Sequence, residues 1–163
     1  MARSDPLNLS RRYWTDDLGD PAAFFAMTSV LRLARLLGAA VDDVLRAHGL
    51  NRNSYLILMS LRLSRDGDMK LGGLAAELLV HPTTVTMTVD RLEADGLVRK
   101  APDEHDRRAT RVHLLDAGRD LAARITAELS ARGCGLDGLP PRQVESLVQA
   151  VTAARRAAGD LPS

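Results

Sequence analysis

An all-α chain carrying one small β-wing is the fold the sequence predicts, and three observations predict it. Apolar residues make up 45% of the 163, yet aromatic residues only 3%. The core must therefore be built from Leu, Val and Ala, which suits helix packed on helix. Apolar positions recur at helical spacing through most of the chain. Only between Leu97 and Leu114 does that period give way to two short, β-branched, partly alternating runs around a charged turn.

The stretch Lys70–His113 organises the rest. Leu71, Leu74, Ala75, Leu78 and Leu79 predict a helix over Gly72–Leu79, its first turn weakened by Gly72 and Gly73. A second helix begins at Pro82, a residue at home in a first helical turn because its missing N–H has no partner there anyway. Val85, Val89 and Leu92, at i, i+4 and i+7, form its buried stripe. Thr83, Met87, Asp90 and Ala94 point the opposite way, with Thr84 and Arg91 beside them, and Gly96 ends the helix as a left-handed cap. Strands over Leu97–Lys100 and Thr110–Leu114 follow, and Met69-Lys70 adds a short third strand. Helix, turn, helix and two strands is the plan of a winged helix-turn-helix, a DNA-reading unit.

The chemistry of the exposed positions fits that plan. Threonine hydroxyls and methyls and the Met87 thioether suit base edges and the thymine methyl, while a guanidinium suits guanine or phosphate. Arg91 is assigned to backbone phosphate or to anchoring the wing. The tip Pro102–Arg108 crowds Arg107 and Arg108 against Asp103, Glu104 and Asp106. A carboxylate and a guanidinium form a planar fork, and an arginine held that way enters a narrow minor groove. The sequence assigns the holding carboxylate to Asp106 and the groove-entering arginine to Arg108. A solvated helix face and a solvated charged turn would carry the same residues. A winged helix used only for protein contact is the alternative functional reading.

The series Leu74-Ala75, Glu77-Leu78, Thr84-Val85-Thr86, Val89-Asp90-Arg91-Leu92-Glu93, Gly96-Leu97-Val98, Asp106-Arg107-Arg108, and Val112 with Leu114 and Gly118 resembles the MarR family of bacterial transcription regulators. With its helical flanks the resemblance covers about residues 20–158. It implies a homodimer with a wing on each subunit, acting as a ligand-responsive repressor on pseudo-palindromic operators in double-stranded DNA. The DNA contacts it implies fall on Pro82, Thr83, Thr84, Met87, Thr88 and Arg91, and on Asp106, Arg107 and Arg108. It also implies a small aromatic or anionic effector that alters the spacing of the two recognition helices. Trp14, Tyr55 and Arg62 are the candidates for that pocket, because they combine aromatic faces with a cation. The chain departs from the pattern at Met87, where many members have Arg, and at Leu115, where Thr usually caps the next helix; Asp116 is expected to take over that cap. Trp14 and Arg91 are shared with the urate-responsive branch, but Leu56 and Thr88 stand where that branch places Asp and Arg, so urate is not expected to bind.

The flanks are helical. Residues 1–20 read as a polar arm with one helical turn around Leu9–Trp14, and Trp14 docks either on protein or on a ligand. In Pro21–His48, capped by Asp20, the stripe Val30, Leu33, Leu37, Val41 and Val44 is widened by Leu31, Leu36, Ala40 and Leu45, enough apolar surface for two faces. Asn51–Arg65 is expected to be mostly buried through Leu56, Leu58, Met59, Leu61 and Leu63. Asp116–Arg132 follows the wing, Gly133-Cys134-Gly135 breaks it, and Pro140–Ala158 closes the chain. The surplus stripes of the first and last helices are expected to pair with a second copy. Residues 1–163 thus read as a single domain, with 21–48 and 140–158 as dimerisation helices and 52–115 as the winged core.

Composition bounds the function classes. Net charge is +1, and His81–His113 holds six basic and six acidic residues, so DNA affinity must come from local geometry. A single cysteine, Cys134, allows no intrachain disulfide and suits a reducing cytoplasm; it reads as a bystander, because no second thiol is present to resolve an oxidised one. The N-terminus lacks an apolar core segment, and no uninterrupted run of about 18 apolar residues occurs, so neither a signal peptide nor a membrane span is expected. His48, His81, His105 and His113 have no Cys or carboxylate at zinc-ligand spacing, and no nucleophile elbow, P-loop or zinc-protease motif occurs. No metal, cofactor or enzymatic activity is expected.

Overall fold

The computed structural model describes residues 11–106 and 108–161. In chain order these are α1 (Pro21–Ala47), α2 (Arg52–Leu63), β1 (Asp68–Lys70), α3 (Leu71–Glu77), α4 (Pro82–Ala94), β2 (Val98–Pro102), β3 (Thr110–Leu114), α5 (Asp116–Ala131) and α6 (Pro141–Ala157). Two single 3-10 turns accompany them, Asp16–Leu18 ahead of α1 and Gly133–Gly135 between α5 and α6. The helices start where their local chemistry says. The Asp20 carboxylate accepts the Ala22 N–H at 2.9 Å, and the Asn51 side-chain oxygen accepts that of Ser54 at 2.9 Å. Gly96 takes φ 69° just beyond α4. Helix α3 ends earlier than its periodicity suggests, because Leu79 adopts a left-handed φ of 52° in the turn that swings the chain into α4.

The start of α5 corrects an expectation. Leu115, not Asp116, is the cap residue, and its side chain makes no capping hydrogen bond. Its backbone N–H instead donates to the Leu97 carbonyl at 3.1 Å, so the root of the wing fixes where the helix begins. Asp116 is left in the first turn, at the end of the helix dipole that favours a carboxylate.

The core lies between α2, α4, α5 and the sheet. Ile57, Leu58 and Leu61, Val85, Val89 and Leu92, Val98, Val112 and Ile125 are all fully buried; such side chains stabilise by about 1.5–3 kcal/mol each. Leu56 and Leu63, expected inside, are exposed. They are seven residues apart and share one face of α2, opposite the face that carries the core. The sheet is antiparallel in the order β1-β3-β2. Register pairs Met69 with Val112 and Val112 with Lys100, so Asp68, His113 and Arg99 form the next row on the opposite face.

The flanking helices keep much apolar surface outside. Phe25, Val44 and Leu45 of α1 are buried, but Phe24, Met27, Val30, Leu31 and Leu36 are exposed. Helix α6 buries none of its residues, and Val148 and Val151 are open. By length and composition alone the 27 residues of α1 are long and apolar enough to cross a bilayer, and Arg32 and Arg35 break the apolar run within them. The break after α5 lies against α1: a Cβ on Gly135 would stand 3.1 Å from Leu37 Cδ2. Cys134, within the break, is exposed.

Candidate nucleic-acid interface

Helix α4 is held by its buried stripe, which turns its other faces outward. Pro82 occupies the first helical turn, and Pro82, Thr83, Thr84, Met87 and Arg91 are exposed, Met87 at 69%. The threonines are not equivalent. The Thr86 hydroxyl donates to the Pro82 carbonyl at 3.0 Å and that of Thr88, half-buried, to the Thr84 carbonyl at 2.7 Å. Among the described residues, the hydroxyls of Thr83 and Thr84 have no such partner. The cap of the helix is His81, a role the sequence reading missed: its Nδ1 accepts the Thr83 N–H at 3.3 Å.

Arg91 does not anchor the wing. Its Nη2 donates to the Gly49 carbonyl at 3.2 Å, with Asp95 3.9 Å away, and so ties α4 to the corner between α1 and α2. The wing is tied by Lys100 instead. Its ammonium lies 2.5 Å from Asp90 and 3.0 Å from Glu93, while its backbone N–H donates to Glu93 at 2.7 Å. The Lys100 N–H and ammonium hold the Glu93 carboxyl below its usual range, and Asp90 and Glu93 push the Lys100 ammonium up. A charge that is paired this way has little left for phosphate.

At the wing tip the expected fork is differently built. Asp106 accepts the backbone N–H of Arg108 at 3.0 Å and not its guanidinium. The carboxylate–guanidinium contacts belong to Arg111, whose Nε lies 3.1 Å from Asp103 and whose Nη1 pairs with Asp68. Asp68 also stands 3.3 Å from His113 Nδ1. The reason is topological: Arg111 sits inside a strand pair, where two neighbouring elements can reach it, whereas Arg108 lies on the tip. Arg108 is exposed and, like Arg99, has no ion pair among the described residues. Arg107 lies outside the described residues.

The three effector candidates are not gathered together. Trp14 donates from Nε1 to the Gly19 carbonyl at 2.8 Å and packs its ring on Phe24 and Phe25, at 5.0 and 5.5 Å. It therefore docks on its own subunit, one of the two readings open to the sequence. Tyr55 shares a hydrogen bond with Thr126 at 3.0 Å, and Arg62 donates to the Arg119 carbonyl at 3.0 Å, both on α5.

Helix-turn-helix, three-stranded wing and two long flanking helices can now be compared with known proteins. The MarR family profile matches residues 48–109. The crystal structure of Sco5413, a MarR family transcriptional regulator from Streptomyces coelicolor, is 33% identical with a TM-score of 0.78, covering 86% of this chain and 98% of that one. The chain belongs to the MarR family. Another structure of this family, Sco3205 of Streptomyces coelicolor in complex with DNA, is 25% identical with a TM-score of 0.74 and covers 92% of each chain. Among curated relatives, the transcriptional regulator PecS of Dickeya dadantii is 30% identical over 67% of this chain and 66% of its own length. The transcriptional activatory protein BadR of Rhodopseudomonas palustris is 32% identical over 67% and 65%. These matches thus span just under two thirds of the curated relatives' lengths.

Proposed function

We propose that this MarR-family chain is a homodimeric, sequence-specific regulator that binds a pseudo-palindromic operator in double-stranded DNA, releases it on binding an effector, and acts as a repressor in the cytoplasm. The observation that carries the reading is the open face of α4, with Thr83, Thr84 and Met87 exposed and the Thr83 and Thr84 hydroxyls unspent among the described residues, together with the exposed wing arginine Arg108, which has no ion pair among them. Thr83 and Thr84 read base edges in the major groove, Met87 and the Thr88 methyl contact thymine methyls, and Pro82 and Arg91 lie along the backbone. Arg107 and Arg108 serve the minor groove, with Asp106 holding the loop. Residues 21–48 and 140–158 dimerise, and the exposed apolar faces of α1 and α6 support this; residues 52–115 are the reading core. Two recognition helices then address half-sites about 34–36 Å apart.

The relatives are transcriptional regulators, and no enzymatic role is proposed. For the effector, Tyr55 and Arg62 support a site along the α2–α5 contact for a small aromatic or anionic molecule. Trp14 is left out because its ring is engaged by Phe24 and Phe25 of α1 and by the Gly19 carbonyl. Selection of bound sites from random duplexes, followed by fluorescence anisotropy on the selected duplex over a salt series, tests the reading. A palindromic consensus bound with a steep salt slope supports it. Failure to enrich any sequence would instead favour a winged helix used for protein contact.

A further inference from the structure

We propose that Asp103, rather than Asp106, is the positioning residue that presents the wing arginine to DNA; this rests on the reading that the wing contacts the operator. Asp103 is 2% exposed in a hairpin tip whose neighbours Glu104, His105, Asp106 and Arg108 are all exposed. A buried carboxylate is costly unless fully engaged. This one is engaged on every side. Its Oδ1 accepts the N–H groups of His105 at 3.1 Å and Asp106 at 2.9 Å, and lies 3.5 Å from Lys70 Nζ. Its Oδ2 accepts Arg111 Nε at 3.1 Å.

These contacts form a chain of support that ends at Arg108. Asp103 fixes the backbone of Asp106, and Asp106 in turn accepts the Arg108 N–H. The tip is closed by the Asp103 N–H to the Ala109 carbonyl at 3.0 Å and the Ala109 N–H to the Asp106 carbonyl at 2.8 Å. The other end of the chain is anchored on β1, because Lys70 and Asp68 both belong to that strand and Asp68 also holds Arg111. Strand β1 runs directly into α3. Asp103 therefore sets where Arg108 stands relative to the helix-turn-helix, and a pre-placed guanidinium loses less freedom on binding.

Electrostatics alone predicts the opposite effect of removing it. Asp103 is a negative charge beside DNA that also neutralises Lys70 and Arg111, so a simple charge account has Asp103→Asn tightening all DNA binding. Positioning predicts that operator binding weakens while binding to a scrambled duplex stays the same or tightens. The full-length protein and its Asp103→Asn, Asp103→Ala, Arg108→Ala and Asp103→Asn/Arg108→Ala variants are to be compared by anisotropy on the selected operator and on a scrambled duplex. Circular dichroism checks folding. The expected result is a loss of about tenfold in operator affinity for Asp103→Asn and more for Asp103→Ala, since asparagine retains an oxygen for the loop N–H groups. In the Arg108→Ala background, Asp103→Asn should change operator affinity by less than about twofold, because residues acting through one contact are not additive. Should the alanine variant not fold, the asparagine variant and the double variant carry the comparison. Equal tightening on both duplexes, unchanged operator affinity, or a double variant that loses the full product of the single losses would overturn the proposal while leaving the DNA-reading wing standing. An Arg108→Ala variant with unchanged affinity and salt slope would remove that reading, and the proposal with it.

Discussion

Replacing Gly118 by alanine probes how the wing is seated on the helix that follows it. A Cβ at this buried position would stand 2.2 Å from the Leu97 carbonyl oxygen and 2.9 Å from Leu114 Cδ1. Ordinary contact begins at 3.4 Å, so α5 and the root of β2 must separate by roughly 1.2 Å. The carbonyl cannot simply turn away, because it accepts the Leu115 N–H that sets the start of α5. Overpacking of this kind costs about 1–3 kcal/mol, and weakening that hydrogen bond adds about 1 kcal/mol. The better helix propensity of alanine offsets at most about 1 kcal/mol, and less in a first turn. The net expectation is a destabilisation of about 2–3 kcal/mol, which for a chain of this length lowers Tm by about 5–10 °C. Thermal and urea unfolding followed by circular dichroism measure it. Operator binding well below the midpoint should fall too, since β2 carries the wing. An unchanged or raised Tm would show that the close approach of α5 to Leu97 is not obligatory, and the seating argument would fail.

Arg108→Ala should flatten the dependence of log affinity on log salt by about one unit per lost contact, whereas Thr84→Val should weaken operator binding with the slope unchanged. Thr86→Val should do neither, because its hydroxyl is already bonded to the Pro82 carbonyl; all three are read by anisotropy over a salt series. Truncation after Gly138 should remove the α6 face and give monomeric or insoluble protein, and a truncated chain that still sediments as a dimer would exclude α6 from the interface. The acid limb of stability should depend on Asp103. Burial works to raise its pKa, but the His105 N–H, the Arg111 guanidinium, Lys70 and the Asp106 N–H overcome this and hold it at about 2, below its ordinary 3.8. A depressed carboxyl contributes stability that is complete above the ordinary value and is lost as pH falls towards 2. Asp103→Asn should therefore have the flatter stability profile across that window in urea titrations, and parallel profiles would refute the assignment.

Much of the fold was legible because it rests on local periodicity. Val85, Val89 and Leu92 are one stripe by spacing and one buried face in space. Asp20 and Asn51 announce the starts of α1 and α2 because capping is a contact over two or three residues. The misreadings occur where a distant element decides. Leu115 caps α5 because Leu97, eighteen residues earlier, takes its N–H. Leu56 and Leu63 are as apolar as Leu58 and Leu61, and only the placement of α2 sends one pair outward. No local signal separates Leu79 from a helical leucine, because its left-handed backbone answers to the turn between two packed helices.

The candidate interface divides along the same line. Which residues α4 exposes follows from its stripe, so Thr83, Thr84 and Met87 were assigned correctly to the open face. Which of them remain chemically available does not follow, because the hydroxyls of Thr86 and Thr88 turn back onto carbonyls four residues earlier while those of Thr83 and Thr84 do not. The balance of six cations against six anions around the motif makes this distinction matter. Lys100 and Arg111 are two of those six cations, but each is held between two carboxylates and works as an internal strut. Those struts take two cations out of that balance and give the wing rigidity; among the described residues Arg99 and Arg108 are left without an ion pair, and of these it is Arg108 that the proposed reading sends to the minor groove.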